Sequence, residues 1–478
     1  MKNNEEKQID GTSNEVREQF LTEPLGKLIA KNLISAVAAM VMMGLYGIVD
    51  GILIGRRLGP GPMASINLLF PVLALTIGLA TMVGVGGNAK ISVLLGKGDK
   101  EKARGVFSVV LVLGVLIGLV SSLSINLGFE GILAFLGTDP ELGAYASEYL
   151  KAYHVFFTPI ILFFIMERSV RNDGCPNLAT GVMIFTSILN IVLDYLFLFP
   201  LNMGLGGAAL ATGISQSLGA CIFLGYFLRK TVKKLSGLRI GPTTGCWSEI
   251  GGIVGNGSSE LFSGLAVGVT TLFYNRQILE YTGSEGLAAF VLVQYFLILA
   301  SQIFIGMATG AQPIFSYNYG AGCYERVRGT LKRVMGAGLI VSGIFFLLIC
   351  WQTEGLVSIF ITADPKTASL SMEVAGYISW SFIFMAIGIL GSAYFTALEQ
   401  AVKSLSIALL RGLILIMIGL AVFPIFWGGG NGIWFTTVFA EGVTAFLVLI
   451  FLWKKPLTDL KDGSCGHTSG PILRFEKT

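Results

Sequence analysis

The sequence predicts an all-α polytopic membrane protein of about twelve transmembrane helices, arranged as two six-helix bundles related by a parallel internal repeat. Three observations carry this. Hydrophobic residues make up 53% of the 478-residue chain and charged residues only 13%, about half the charged share of a soluble domain. Apolar runs of roughly 20 residues recur, each long enough to cross about 30 Å of hydrocarbon as a helix. The second half of the chain repeats the first. The 62 glycines suit close-packed membrane helices, where small residues let backbones approach.

The same composition excludes several classes. A net charge of +4 with no basic stretch interleaved with aromatics leaves no footprint for nucleic acid. An aromatic content of 11% excludes a disordered chain. The cysteines Cys175, Cys221, Cys246, Cys323, Cys350 and Cys465 form no CxxC pair, and the only histidines are His154 and His467. Neither a zinc site nor a haem attachment follows, and no cofactor is expected. There is no Walker A string, so ATP does not drive the chain directly.

In chain order, residues 1–24 form a polar tail of mixed charge without the basic start and short apolar core of a cleaved signal. This tail is expected in the cytoplasm. The first lobe, 25–228, holds spans near 28–54, 64–88, 105–127, 151–168, 178–200 and 206–228. A basic linker, 229–252, separates it from a second lobe, 253–453, with spans near 253–280, 287–313, 332–352, 372–396, 405–427 and 432–453. A polar tail, 454–478, follows. With the N-terminus inside, loops on the inner face carry the Lys and Arg of segments 97–104, 168–171, 229–239 and 326–333, and Lys403. The outer loops carry only Arg56, Arg57, Lys151 and Lys366. That asymmetry, about four to one, fixes both termini on the cytoplasmic side of the cell membrane.

A shift of 224 lays residues 83–105 on 307–329, pairing Gly86 with Gly310, Gly96 with Gly320, Gly98 with Gly322, Glu101 with Glu325 and Arg104 with Arg328. A shift of 225 pairs Asp139-Pro140 with Asp364-Pro365 and Thr212 with Thr437. Six spans return each half to its starting side, so the halves share one orientation about an axis along the membrane normal, with a transport path at their interface. The expected function is secondary transport coupled to an ion gradient. A flippase of an anionic lipid-linked precursor, a channel and a polytopic enzyme are the alternatives. The first would need a cationic cavity, the second flux faster than a carrier's turnover, the third turnover without a gradient.

Carboxylates inside the hydrocarbon are the sharpest functional signal, because each is costly unless it faces protein or water. Asp50 lies about five residues, roughly 8 Å, below the outer end of its span, and Asp194 and Thr212 each about six residues, roughly 9 Å, below theirs. Asn190 is one turn from Asp194 on the same face. These four side chains are expected in one layer with no fixed cation, forming an ion-coupling site for H+ or Na+. The structural alternatives are an Asp194 helix cap and an Asp50–Arg57 pair. Glu260, near the inner end of its span, and Glu441, deep in the last span and opposite Gln216 in the repeat, are candidate cavity residues. Tyr274, Asn275, Gln294 and Tyr295 could line a drug-sized cavity or serve as packing. His154 reads as structural, and Arg411 as an inner-face side chain that snorkels.

The strings LYGIVDGILIGRRLG, ISVLLGKGDKEKARG, RNDGCP, LNIVLDYLFLFPLNMGLGGAALAT and NGIWFTTVFAEGVTAFL resemble the multidrug and toxic compound extrusion (MATE) transporters, over nearly all of residues 25–455. The resemblance is to bacterial multidrug efflux members. It implies two bundles around a V-shaped cavity that opens alternately outward and inward, and export of small organic cations across the lipid bilayer against H+ or Na+. The intact internal repeat, separately, leads to the expectation of a monomer. The family's ion-site positions fall on Asp50, Asn190, Asp194 and Thr212. Its helix 7 acid falls less securely on Glu260. Many members carry prolines early in helices 1 and 7. Here those stretches read IAKNLISAV and GNGSSELFSG, and Gly44 and Gly47 are the local alternatives for bending.

Overall fold

A computed structural model describes residues 16–135, 140–235, 237–360 and 365–454. The outer parts of both predicted tails, with Cys465 and His467, and the repeat residues Asp139 and Asp364, lie outside the described residues. A short helix α1 (16–22) precedes α2 (Leu25–Leu58), α3 (Pro60–Lys97), α4 (Lys100–Phe135), α5 (Pro140–Tyr153), α6 (Phe157–Asn172), α7 (Pro176–Leu198) and α8 (Gly204–Val232). The second lobe is built from α9 (Ile250–Gly320), α10 (Tyr324–Phe360), α11 (Pro365–Ala397), α12 (Ala401–Leu409), α13 (Leu415–Phe426) and α14 (Gly430–Lys454). Five residues of π-helix, Leu410–Ile414, join α12 to α13.

The helices outrun the apolar stretches that announced them, because a helix goes on until a residue stops it. Gly98, at φ +86°, ends α3 in the left-handed conformation, its N–H bonded back to Leu94 and Leu95. Its repeat partner Gly322, at φ +75°, turns the chain between α9 and α10. Glycine is the residue that takes this conformation without steric cost. Gly283, at φ +69° and ψ −165°, breaks α9 into two spans. The spans predicted at 253–280 and 287–313 are the two arms of this one broken helix.

Eleven of the described helical stretches are long and apolar enough to cross a membrane. The first arm of α9 is not among them, though it takes the seventh place in the expected set of about twelve membrane helices. It is helical and packed in the bundle, but Asn256, Ser258, Ser259 and Glu260, and then Asn275, Arg276 and Gln277, make it more polar than the rest. A helix at a lobe interface is exposed to water and cargo as well as lipid, so it need not be apolar all round.

Glycine contacts define how the lobes meet. Where α3 crosses α9, a Cβ on Gly86 would strike the Ile253 carbonyl, on Gly257 that of Met82, on Gly96 that of Tyr317 and on Gly320 that of Val93. Farther along the same pair the contact loosens. Gly78 would meet a Leu261 methyl at 2.8 Å, and Gly264 only the Ala74 carbonyl at 3.8 Å. The crossing of α2 with α9 widens in the same direction. Gly310 and Gly306 lie on the backbone at Asn32 and Val37, Gly44 meets the Gln302 side chain at 3.1 Å, and Gly47 meets nothing within 4 Å. The lobes are therefore closed on the face where the first and last helices begin and end, and splay apart toward the other.

Candidate functional site

The first lobe assembles its site from three helices. Asp194 and Asn190 lie one turn apart on α7 and are 0% and 2% exposed. Thr212 stands on α8, and the Asn190 amide donates to its Oγ1 at 3.1 Å. Asp50 comes from α2, and its carboxyl faces that of Asp194 within hydrogen-bonding reach. When both are ionised they only accept hydrogen bonds, so neither can then satisfy the other. Asp194 has no donor at either oxygen, Asp50 none at Oδ1, and Asn190 none at its own carbonyl oxygen. All four residues singled out in the sequence are thus in one cluster. Their depths differ from the expected ones: Asp50 is eight residues before the end of α2, which runs past its expected end, and Asp194 is four before the end of α7, which stops two residues short of Pro200.

The structural alternatives fail for both acids. Arg57 does not pair with Asp50. It donates to the Leu198 carbonyl at 3.2 Å and to the Asn202 side chain, closing the C-terminal end of α7. Asp194 caps nothing, since it accepts no bond.

Two further residues belong here. Tyr46, one turn before Asp50, accepts a hydrogen bond from the Gln216 amide at 3.2 Å, and Gln216 is one turn after Thr212. The Gln216 carbonyl oxygen is buried without a donor. Together with Asn190, Ser187 and Ser215 these two side chains line a cavity of about 10 Å³, close to the room one water needs. The i, i+4 spacing from Asp50 and from Thr212 was the signal in the sequence that would have found them.

The second lobe has a different polar centre. Arg411 Nε donates to both oxygens of Glu441, at 2.8 and 2.9 Å. This corrects two readings: Arg411 does not snorkel to the inner face, and Glu441 is neutralised within its lobe rather than presented to a cavity. The intervening π-helix carries Arg411; the extra residue of such a turn re-aims side chains. Tyr274 also turns inward. Its hydroxyl bonds to Thr437 at 2.8 Å and its ring stacks on Phe290 at 5.3 Å, so here it packs the second lobe. Asn275, Gln294 and Tyr295 remain half-buried. Glu260 is not brought to the Asp50–Asp194 cluster. It lies toward the closed face, within electrostatic reach of Arg168 from the other lobe. Arg168 itself crosses the seam to Thr309 Oγ1 at 3.4 Å.

Charged side chains also close the seam. Lys90 of α3 pairs with Glu249 at 3.0 Å and with Glu399 at 3.4 Å, and Lys102 of α4 pairs with Glu249 at 2.6 Å. Glu399 holds its place at φ +58°, a conformation uncommon outside glycine. Glu249, outside the spans, has its carboxyl held below the usual value, chiefly by the hydrogen bond from Lys102.

Two pseudo-symmetric lobes, closed at one face and splayed at the other, with unpaired acids buried in one of them, define a polytopic membrane carrier. The MatE family profile matches residues 36–196 and 262–422, one copy in each lobe. The chain belongs to the MatE family, a family of membrane transporters rather than enzymes. Relatives include the multidrug export protein MepA of Staphylococcus saprophyticus subsp. saprophyticus, 28% identical over 417 residues, covering 87% of this chain and 91% of the relative. MepA of Staphylococcus aureus strain MSSA476 is 28% identical over 447 residues, covering 92% and 96%. Among solved structures, an outward-facing multidrug resistance MATE family transporter of the MOP superfamily superposes with a TM-score of 0.84 at 23% identity, over 91% of this chain and 96% of that one. A MATE in the straight conformation gives 0.84 at 24% identity with the same coverage, and one in the bent conformation 0.81 at 24%. These likenesses concern the fold.

Proposed function

We propose that the chain is a secondary antiporter that exports organic cations across the cell membrane in exchange for Na+, with H+ as the second reading. The lobes are residues 25–228 and 253–453, joined by the linker 229–252, with both termini cytoplasmic. The structure then stands in its outward-open state, and one chain is a complete carrier. The observation that carries the coupling site is the set of buried oxygens without donors: Asp50 Oδ1, both oxygens of Asp194, Asn190 Oδ1 and Gln216 Oε1. Leaving such groups unpaired costs about 1–3 kcal/mol each, more where charged, so the cluster is built for something it binds. A proton shared by two carboxyls would satisfy the acids but not the two amide oxygens. A hard cation takes carboxylate, amide and hydroxyl oxygens together, which favours Na+.

In this mechanism Asp50 and Asp194 take up the ion from outside through the open face. Binding removes the mutual repulsion of the two acids and draws α2 toward α7 and α8. Cargo held electrostatically in the cavity is released outward. The lobes then rock, the closed seam opens, and the ion leaves inward while Glu260, parted from Arg168, meets the next cationic cargo. Ion and cargo need only compete through one conformational equilibrium. The relatives named MepA are multidrug export proteins, which supports a drug-like cargo here. The test is dye efflux from proteoliposomes under an imposed Na+ gradient, with and without a proton uncoupler. Efflux that follows Na+ and is lost in Asp194→Asn supports the reading. Undiminished efflux in Asp194→Asn overturns the assignment of the coupling site, and efflux that collapses only with the uncoupler selects H+.

A further inference from the structure

Helix α1 precedes the first span and has no part in the ion site, yet it is tied to both lobes. Its Arg17 Nε donates to the Gly96 carbonyl at the end of α3, in the first lobe, at 3.0 Å. Its Phe20 is 1% exposed and lies flat on Tyr317 of α9, in the second lobe, with ring centroids 4.4 Å apart and 15° between planes. The carbonyls at the C-terminal end of a short helix have no partners of their own. Here the second lobe supplies them. Asn318 Nδ2 donates to the Phe20 carbonyl at 3.2 Å, and Arg326 Nη2 to the Phe20 and Glu23 carbonyls at 3.1 and 2.8 Å. Arg326 is in turn fixed by Nε to Asn318 Oδ1 at 3.0 Å. Tyr317, under the Phe20 ring, carries the contact back to the first lobe, donating its hydroxyl to the Asn172 carbonyl at 2.8 Å.

We infer that the seam face carries a docking site for the chain's own N-terminal segment, made by Tyr317, Asn318 and Arg326, and that α1 seated there is a bolt between the lobes. The site recognises an aromatic side chain followed by the free carbonyls of a helix end. Gly96 and Tyr317 are in backbone contact where α3 crosses α9. When those two helices part, Arg17 cannot stay on Gly96 while Phe20 stays on Tyr317. One end of α1 must let go, so docking of α1 stabilises the closed seam, and undocking accompanies its opening. The inference rests on the two-lobe rocking of the proposed mechanism but not on the identity of the ion or the cargo.

The test uses the full chain with nitroxide labels on Lys233, at the end of α8 where the first lobe passes into the linker, and on Val402 of the second lobe, both exposed, after replacement of the exposed Cys221 and Cys350. Electron–electron distance measurement reads the seam directly. The expected result is a tenfold or larger rise in the ratio of long to short distances in Phe20→Ala, and a similar rise in Arg326→Ala, which alters the receptor rather than the bolt. A synthetic peptide covering residues 16–24, added to Phe20→Ala, should drive the ratio back toward that of the parent. Melting curves of both variants confirm folding, and Phe20→Leu serves as the milder replacement should Phe20→Ala fail to fold. Unchanged distances in folded Phe20 and Arg326 variants overturn the bolt, provided the parent shows the long distance under a drug gradient. If the parent never shows it under any gradient, the rocking mechanism itself falls.

Discussion

Asp194→Asn separates a functional acid from a structural one by the sign of its effect. The substitution keeps the shape of the side chain and removes one of two facing charges in a layer where neither acid has a donor at the buried oxygens. It also introduces an N–H pair beside Asp50 Oδ1. A hydrogen bond to a charged group contributes about 1.5–3 kcal/mol, so at a pH high enough to ionise both acids of the parent the ion-free variant should be more stable than the parent by about that amount. The ion loses one of its two charged ligands, and the same range predicts roughly a 10- to 100-fold loss of affinity. Thermal melting in detergent should therefore show two opposite changes. The variant melts higher than the parent without Na+, and the rise in melting temperature that Na+ gives the parent is lost. A structural acid would behave the other way, since removing a satisfied group destabilises the fold. A variant that melts lower than the parent in the absence of the ion, and still responds to Na+, refutes the reasoning.

Other consequences are as direct. Gly257→Ala drives a Cβ into the Met82 carbonyl, so it should destabilise the closed seam by about 1–3 kcal/mol, whereas Gly47→Ala, which meets nothing within 4 Å, should leave distance distributions across the seam unchanged. Arg411→Ala strands Glu441, which is 6% exposed, and should cost about 3 kcal/mol in stability. Adding Glu441→Gln should recover most of that loss in a melting experiment. Lys90→Gln should loosen the seam by no more than about 1 kcal/mol, because its pairs are partly exposed, and the effect should shrink at high salt. Because the Glu249 carboxyl is held below its usual value by Lys102, its contribution to closure is full above the ordinary carboxylate range and is lost as pH falls through the lowered value. Label distances measured down a pH series should lengthen only at that acidic end, and an opening already complete at neutral pH would contradict the assignment.

Much of this molecule is written in one dimension. Hydrophobic runs set the number of crossings, because a bilayer demands about 20 apolar residues of every span it surrounds. The exception is instructive: the first arm of α9 faces the other lobe, and its Asn, Ser and Glu residues diluted the very signal that counts spans. The repeat and the lobes were legible because duplicated halves keep their turn glycines, such as Gly98 and Gly322. Asp50, Asn190, Asp194 and Thr212 stood out because an acid or amide within a span is costly enough to be rare. Helix spacing alone placed Asn190 beside Asp194, as it places Tyr46 beside Asp50 and Gln216 beside Thr212.

Tertiary structure alone decided which charges have partners. In sequence Asp194 and Glu441 are the same kind of observation, a carboxylate deep in an apolar span. In space Glu441 takes Arg411 from a helix 30 residues away, and Asp194 takes nothing. Likewise Arg57, spaced to meet Asp50, closes the end of α7 instead. Periodicity states which face of a helix a residue occupies and composition states what that face costs to bury. The partner across the gap depends on how helices distant in the chain cross, and those crossings are set by glycines such as Gly86 and Gly257, whose contacts lie on another helix.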